Sequence, residues 1–312
     1  MVGDIGGTNA RFALAERGRY GEIWQVRVAD YPTIQEALAA YLAQLPNGMR
    51  PMSGALAIAG PVAGDEVKLT NWTWSFSIAR LRAALGLAQL VVVNDFAATA
   101  MAVPYLRDAE RYLLGPGEPA GGGPIGVIGP GTGLGMSALV PAGGGWTLLA
   151  GEGGHATMPA ATDEESRILD FLRARREHVS AERVLSGAGL VNLYEALSAL
   201  AGNAAAGLSP AEVTARALAK SDPECVRAFD TFCAMLGTVA GNLALTIGAT
   251  GGIYIGGGIL PRFKEALATS GFRARFEDKG RLGGYLRGIA THLVLHEEPA
   301  LLGLANFPLG PA

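Results

Sequence analysis

The chain has 312 residues, of which 49% are hydrophobic and 17% are charged, and its formal net charge is −3. A chain of this length exceeds what one hydrophobic core usually holds, so we expect two domains. The slight negative charge excludes the broad basic surface that nucleic acid or an anionic membrane would need. We therefore expect small neutral or acidic ligands.

The cysteines and the apolar segments bear on cellular location. Cys225 and Cys233 lie on one predicted helix, about 12 Å apart along its axis, and cannot form a disulfide with each other. No signal peptide precedes Asp4, so we expect a reducing cytoplasm. Residues 231–261 carry no charge and are long enough to span a bilayer. The glycines at 256–258, with others before them, favour instead a buried helix followed by a buried strand.

The first half of the chain alternates strand and helix patterns. Thr33 opens a predicted helix through a capping box with Glu36, and Ser77 caps a shorter helix that ends at Gly86. Strands and helices in this order are typical of an α/β domain. The predicted strands cover residues 2–6, 11–15, 23–28, 54–59, 67–69 and 90–93.

A glycine- and proline-rich segment, 114–124, interrupts this pattern and is the best candidate for a connector between domains. A predicted strand at 125–128 begins the second half. The chain then becomes mainly helical, with N-caps at Thr162 and Ser209. The remaining predicted elements are a helix over 261–269, a strand over 292–295 and a last helix from Pro299.

A weak internal repeat occurs once in each half. Gly6-Gly7-Thr8 is followed by an apolar strand from Phe12, and Gly131-Thr132-Gly133 is followed by one from Met136. Each copy reads as a strand, a Gly/Thr turn and a second strand, which suggests a duplicated core. Glycine turns can present backbone N–H groups to phosphate oxygens without a Cβ in the way.

These turns differ from the two commonest phosphate-binding motifs. A Walker A loop needs Gly-Lys-Ser/Thr, and none of the lysines follows a glycine. The dinucleotide fingerprint precedes a helix, but Gly129–Gly135 precedes a strand. One such turn alone is more simply explained as a hairpin. The matched pair of turns together with Asp4 favours a nucleotide-binding site. Asp4, at the end of a buried strand, would hold Mg²⁺ directly or through water.

Asp95 has two interpretations from the residues alone. Asn94-Asp95 ends the apolar strand 90–93, where open α/β sheets place ligand groups. Asp95 could accept the proton of an attacking hydroxyl while Asn94 binds a neighbouring one. Asp95 could equally be the N-cap of a helix that begins at Phe96.

The chain resembles a known family over nearly its whole length. Residues 4–11 together with Gly131-Thr132-Gly133-Leu134-Gly135 are similar to the paired phosphate loops of the actin/hexokinase/Hsp70-type ATPase superfamily. Within that superfamily, the chain resembles the bacterial glucokinases. The other matching segments are Thr70-Asn71 before Trp74-Ser75-Phe76-Ser77, Asn94-Asp95-Phe96, 151–155, 180–187 and 256–259.

The resemblance implies an α/β protein with the two-domain actin-like (ribonuclease H-like) fold and a nucleotide and sugar cleft between the domains. Residues 1–105 with 296–312 would form the small domain and residues 106–295 the large one. The implied reaction is transfer of the γ-phosphoryl group of ATP to the 6-hydroxyl of glucose, with Mg²⁺ as cofactor. A cytoplasmic homodimer is usual in the family.

The resemblance also implies roles for individual residues, with Asp95 as the general base. The implied sugar ligands are Asn94, Asp95, Glu152, His155 and Glu182. The implied nucleotide and metal ligands are Asp4, Gly6, Gly7, Thr8, Asn9, Gly131, Thr132, Gly133, Gly257 and Gly258.

Several alternatives accompany this hypothesis. Glu152, His155 and Glu182 could instead bind zinc or iron, although no cysteine lies near His155. Trp72 is assigned no sugar contact, and Arg11 is left out of the site because strand alternation does not fix its face. The other histidines, His178, His292 and His296, are expected to be structural or exposed.

At the level of the whole protein, a kinase for another hexose or a non-catalytic sugar sensor is the alternative function. A chaperone or filament ATPase of the same fold would not need the polar ring that Asn94, Glu152, His155 and Glu182 provide.

Overall fold

The computed structural model describes residues 1–46, 49–69, 74–117 and 121–308. It divides into two compact units, the first made of residues 1–106 with 296–312 and the second of residues 107–295. Thr70 and Asn71, which are part of a family-like motif, and Trp72 lie outside the described residues.

Strands and helices alternate along the chain. The strands are β1 (Val2–Ile5), β2 (Asn9–Ala13), β3 (Ala15–Glu16), β4 (Arg19–Tyr20), β5 (Trp24–Arg27), β6 (Ser53–Ile58), β7 (Glu66–Lys68), β8 (Ser75–Ser77), β9 (Gln89–Asn94), β10 (Arg111–Gly115), β11 (Ile125–Pro130), β12 (Leu134–Ala142), β13 (Gly145–Gly151), β14 (Ile253–Ile255) and β15 (Thr291–Val294). The helices are α1 (Ile34–Ala43), α2 (Ile78–Ala84), α3 (Asp95–Ala102), α4 (Asp163–Arg173), α5 (Gly187–Leu200), α6 (Pro210–Leu218), α7 (Pro223–Ile247), α8 (Lys264–Thr269), α9 (Phe272–Glu277), α10 (Gly283–Arg287) and α11 (Pro299–Ala305).

The first unit is built on a five-stranded sheet in the order β5-β2-β1-β6-β9. β1 is antiparallel to β2 and parallel to β6, and β6 is parallel to β9. Ile5, Phe12 and Leu56 are fully buried in the core on one side. Leu301 of α11 joins a second cluster with Ala98 of α3, so the C-terminal helix completes this unit.

The second unit is built on a six-stranded sheet in the order β10-β15-β14-β11-β12-β13. β11 and β12 form an antiparallel hairpin, and β11, β14 and β15 run parallel. The buried faces of the helices supply most of its core. Both copies of the predicted strand–turn–strand repeat are therefore antiparallel hairpins, one in each unit.

The predicted N-caps are confirmed. The side-chain oxygens of Thr33, Ser77, Thr162 and Ser209 each accept a hydrogen bond from the backbone N–H three residues later. These bonds satisfy donors that the first helical turn would otherwise leave unpaired. Such short-range signals are readable because both partners lie within four residues of each other.

The uncharged segment, residues 231–261, contains the end of α7 and then the buried strand β14, as predicted. The C-cap of α7, Gly248, has a left-handed φ of 63°. Among the described residues, α7 is the one helix long and apolar enough to cross a bilayer, and 67% of its most apolar stretch is buried within the protein. A core helix has the same properties. Cys225 and Cys233 both lie on α7, buried and free of a disulfide, as expected.

The strand β10 was not predicted from the sequence. Residues 111–115, most of which precede the segment interpreted as a connector, form β10, and that strand extends into the connector at Leu114 and Gly115. The predicted strand over residues 67–69 is confirmed as β7, and it pairs with β8. The partner of β10 is β15, nearly two hundred residues later in the chain, and sequence patterns carry no information about a partner so distant.

The strand β13 was also missed. Most of its side chains are exposed, and its apolar residues do not alternate cleanly with polar ones. An edge strand with this pattern gives a weak sequence signal, because alternation reports burial of one face.

Candidate functional site

The first glycine turn, residues 6–8, closes the hairpin of β1 and β2. The Gly6 N–H donates to the Asn9 carbonyl at 2.9 Å, and the Val28 N–H donates to the Thr8 carbonyl at 2.9 Å. Asp4 lies directly opposite Arg11 in the strand register. The turn and the carboxylate at its base are thus held by backbone pairing on both sides.

Asp4 is influenced by two other carboxylates of the first unit, Asp95 and Glu298, and by the guanidinium of Arg11. Burial, and after it the negative charge of Asp95, raises the pKa of Asp4 to about 6. Arg11 opposes this effect, with its Nη1 3.6 Å from Asp4 Oδ2. The Arg11 Nε also lies 3.0 Å from Glu298 Oε1. Neither Arg11 nor Glu298 was among the predicted site residues.

Asn94 and Asp95 lie where β9 becomes α3. Asn94, not Asp95, is the N-cap: its Oδ1 accepts hydrogen bonds from the N–H groups of Phe96 at 2.9 Å and Ala97 at 3.2 Å. The Asn94 amide also donates to the Gly60 carbonyl at 3.2 Å. Asp95 is the first helical residue, and the Phe96 N–H also donates to its Oδ1 at 2.8 Å. The positive end of the helix dipole favours a carboxylate at this position.

The second glycine turn, residues 131–133, joins β11 to β12 and is connected to a predicted sugar ligand. The Leu134 N–H, directly after the turn, donates to Glu182 Oε2 at 2.9 Å. The Gly187 N–H, at the start of α5, donates to the Gly131 carbonyl at 2.9 Å. Glu182 and the start of α5 are therefore fixed to this turn.

The triple-glycine turn after β14 packs against the end of β11. Gly257 has a φ of 91°, and a Cβ there would lie 2.3 Å from the Pro130 carbonyl oxygen. Only glycine combines that conformation with so close an approach. The Gly256 N–H donates to the Ile128 carbonyl at 2.8 Å, which fixes the turn beside residues 131–133.

A cavity of about 310 Å³ adjoins these turns in the second unit. Its size is at the lower end of the range for small-molecule pockets. Gly187 and Gly258 form part of its wall, and its apolar lining comes mainly from Leu190, Phe229, Ile259 and Phe263. Gly187 also bonds to the second glycine turn, so the cavity lies next to a candidate phosphate-binding turn.

The second unit also brings together Glu152, His155 and Glu182. Glu152 precedes a short 3₁₀ turn over residues 153–155, and its Oε2 lies 3.9 Å from His155 Nε2. The two side chains are 62% and 59% exposed, so both can reach a ligand. Backbone bonding between Ala181 and Ala156, at 2.9 Å, holds the Glu182 segment alongside. Their backbone segments are therefore neighbours, while the Glu182 side chain is directed to the Leu134 N–H. That the three residues share a ligand stays a prediction.

Comparisons with known proteins agree with this geometry. The glucokinase family model matches residues 1–309. A glucokinase of Nitrobacter hamburgensis is 65% identical over 311 residues, covering 100% of this chain and 97% of the relative. A glucokinase of Paramagnetospirillum magneticum is 53% identical, covering 100% and 98%. The chain belongs to the glucokinase family.

Solved structures show the fold of this glucokinase family member. A glucokinase from an Antarctic psychrotroph superposes with a TM-score of 0.91 at 38% identity, covering 98% of this chain and 97% of the other. A ROK family glucokinase from Streptomyces griseus, solved with glucose and AMPPNP, has a TM-score of 0.64 at 21% identity, covering 97% of each chain, and supports the fold alone. The predicted family, actin-like fold and enzyme class, an ATP-dependent hexose kinase, are confirmed.

The residues around Asp4 fit a magnesium ion. Mg²⁺ prefers oxygen ligands and is usually held by one or two carboxylates together with substrate phosphates. Asp4 is a buried carboxylate whose pKa is raised by burial and by the neighbouring Asp95, and a divalent cation would offset both effects. No group of three His, Cys, Asp or Glu residues within the described ranges could form a protein-only metal centre.

Proposed function

We propose that the chain transfers the γ-phosphoryl group of ATP to the 6-hydroxyl of glucose, giving glucose 6-phosphate and ADP. Membership of the glucokinase family supports the reaction. The geometric observation that supports it best is the bond from the Leu134 N–H to Glu182, because it joins a proposed sugar ligand to a proposed phosphate turn.

ATP is proposed to bind through three groups of residues. The glycine turns would give the phosphates close access to the backbone at Gly6, Gly7, Thr8 and Asn9 and at Gly131, Thr132 and Gly133. The N–H groups of Gly6 and Gly131 bond within their own turns and hold the turn conformation. The cavity beside Gly257 and Gly258 would hold the base, since its apolar lining suits a flat aromatic ring. Asp4 would hold Mg²⁺, directly or through water, and the ion would neutralise charge on the phosphates.

Glucose is proposed to bind through its hydroxyl groups. Asn94, Glu152, His155 and Glu182 supply donors and acceptors for neighbouring hydroxyls. Asp95 would accept the proton of the 6-hydroxyl as the phosphoryl group transfers in line. Such a reaction depends mainly on positioning and charge neutralisation.

The decisive test is ADP formation from ATP and Mg²⁺ with glucose, with other hexoses, and with no sugar. We expect glucose to stimulate turnover, and Asp95→Asn to lower kcat on the order of 100-fold or more while glucose affinity changes by less than about tenfold. The matched control is Asp170→Asn, since that carboxylate is 71% exposed on α4 and should leave turnover unchanged.

Other results would change the proposal in defined ways. Unchanged turnover in Asp95→Asn would remove Asp95 from the mechanism. Stronger stimulation by a different hexose would change the acceptor. Turnover only with ADP or polyphosphate would change the donor.

We further propose a cytoplasmic homodimer that acts in glycolysis. Light scattering across a concentration series measures the oligomeric state. A monomer at every concentration would contradict the homodimer.

A further inference from the structure

Arg11 lies between two carboxylates of the first unit, but its contacts with them are unequal. Its Nε lies 3.0 Å from Glu298 Oε1, an ion pair that lacks hydrogen-bond geometry, whereas its Nη1 lies 3.6 Å from Asp4 Oδ2. Charge-assisted N–H···O contacts are typically about 2.7–2.9 Å long, so the Asp4 contact is a loose ion pair. The side chains of Arg11, Asp4 and Glu298 are 29%, 18% and 22% exposed, so solvent screens these charges only partly.

Strand geometry alone would allow Arg11 a closer contact with Asp4. The two residues are directly opposite in the β1/β2 register, and side chains at such positions point to the same face of the sheet. A guanidinium fork and a carboxylate at this spacing commonly form a two-bond pair. Here the guanidinium is drawn towards Glu298 instead.

Glu298 is held in place by the C-terminal segment of the first unit. It directly precedes α11, which Pro299 opens, and its N–H donates to His296 Nδ1 at 3.1 Å. α11 packs against α3 through Leu301 and Ala98. The carboxylate that contacts Arg11 is therefore fixed by tertiary packing and is nearly three hundred residues away in sequence.

We propose that Glu298 is a positioning residue for the magnesium site. By attracting the Arg11 guanidinium with its negative charge, it keeps the guanidinium from closing on Asp4, and the Asp4 oxygens stay available to Mg²⁺ or to one of its water ligands. This inference rests on the proposed function, because it takes Asp4 to be the residue that serves the metal of the Mg-nucleotide.

Calorimetric binding of ADP, with Mg²⁺ and with EDTA in its place, tests the proposal without requiring turnover. Glu298→Gln keeps the shape of the side chain but removes its charge, so Arg11 should move onto Asp4. We expect the affinity for ADP with Mg²⁺ to fall about tenfold, and the affinities for metal-free ADP and for glucose to stay unchanged. Glu297→Gln, the same change at the exposed adjacent residue, should alter none of them.

A double-mutant cycle with Arg11→Gln separates positioning from a direct effect of charge. If Glu298 acts through Arg11, Glu298→Gln should have no further effect in the Arg11→Gln background. If Glu298→Gln lowers the affinity for ADP with Mg²⁺ equally in both backgrounds, or lowers it in neither, the proposal is overturned. Glu298→Asp keeps the charge but shortens the side chain, and should lower the affinity for ADP with Mg²⁺ by less than Glu298→Gln does. It provides the test if the glutamine variant fails to fold.

Asp4→Asn distinguishes a failure of this inference from a failure of the proposed function. If Asp4→Asn leaves the magnesium dependence of ADP binding intact, the metal role of Asp4 is wrong and the inference fails with it. If Asp4→Asn abolishes that dependence while Glu298→Gln does not change it, only the role of Glu298 is wrong.

Discussion

His292 illustrates how a single buried side chain couples stability to pH. It lies on β15, is 9% exposed, and stacks on Tyr254 with ring centroids 5.0 Å apart. Burial, and after it the positive charge of Arg111, lowers the pKa of His292 to about 4. Its Nδ1 has no hydrogen-bond partner within the described part of the chain. The imidazole is therefore expected to be neutral in the folded protein at physiological pH.

This pKa predicts a loss of stability as the pH falls from about 6.5 towards 4. In that range the unfolded chain binds a proton at His292 that the folded chain does not, so protonation favours unfolding. Between pH 7.5 and pH 5, the free energy of unfolding should fall by about 1–2 kcal/mol less in His292→Phe than in the wild type. The phenylalanine ring can keep the stacking on Tyr254. Urea unfolding at both pH values measures the difference. Parallel pH dependence in the two proteins would contradict the prediction.

The Asn94-Asp95 pair shows that a sequence can predict the start of a helix without deciding which residue is its N-cap. The sequence predicts a helix start here and leaves Asp95 as either the N-cap or a general base. In the structure Asn94 takes the cap, which leaves the cap explanation for Asp95 wrong and its role as base a proposal. Neighbouring Asn and Asp residues both suit an N-cap, so only the backbone conformation could decide between them.

At the scale of elements, the contact between α3 and α11 positions the proposed base. A Cβ at Gly303 of α11 would lie 1.8 Å from the Ala98 carbonyl oxygen of α3. The two helix backbones touch there, and α3 begins with Asp95. The position of α3 therefore depends on the absence of a side chain at Gly303.

We expect Gly303→Ala to force the two helices apart, to lower the free energy of unfolding by about 2–3 kcal/mol, and to lower kcat because Asp95 moves with α3. Thermal unfolding and glucose phosphorylation measure the two effects. The matched control is Gly284→Ala on α10, where an added Cβ would meet only the Arg287 side chain at 3.6 Å. Its stability should stay the same or rise by up to about 1 kcal/mol. Equal behaviour of the two variants would refute this role for Gly303.

At the scale of the whole molecule, the first unit is assembled from both ends of the chain. Its N-terminal part contains the sheet, and its C-terminal part contributes α11 and Glu298. Leu301 and Leu304 of α11 are buried at 0% and 2% exposure. Burial of such side chains stabilises a fold by about 1.5–3 kcal/mol each.

A chain that ends at Leu295 is therefore expected to lose the structure of its first unit and its kinase activity. The exposed apolar surface beside Ala98 should bind a hydrophobic dye. ADP binding should lose its magnesium dependence, because Asp4 belongs to the unit that loses its structure. A chain that ends at Pro308 keeps every described residue and serves as the control. Full activity in the chain that ends at Leu295 would contradict this account.

The sequence by itself determined the features whose partners lie close together along the chain. The two glycine turns between strands, the helix caps, the buried character of α7 and the family could all be recognised from short motifs. Each of these depends on backbone preferences or on contacts within a few residues, and the candidate residues Asp4 and Asp95 came from the same motifs.

Only the tertiary structure decided the features that join distant segments. It showed that β10 pairs with β15, that Glu182 accepts a bond from Leu134, and that Arg11 lies between Asp4 and Glu298. A hydrogen bond or ion pair is specified by distance and direction in space, and one chain's sequence does not record which remote residue satisfies it. The surroundings of the proposed metal and sugar ligands therefore became visible only once the chain was folded.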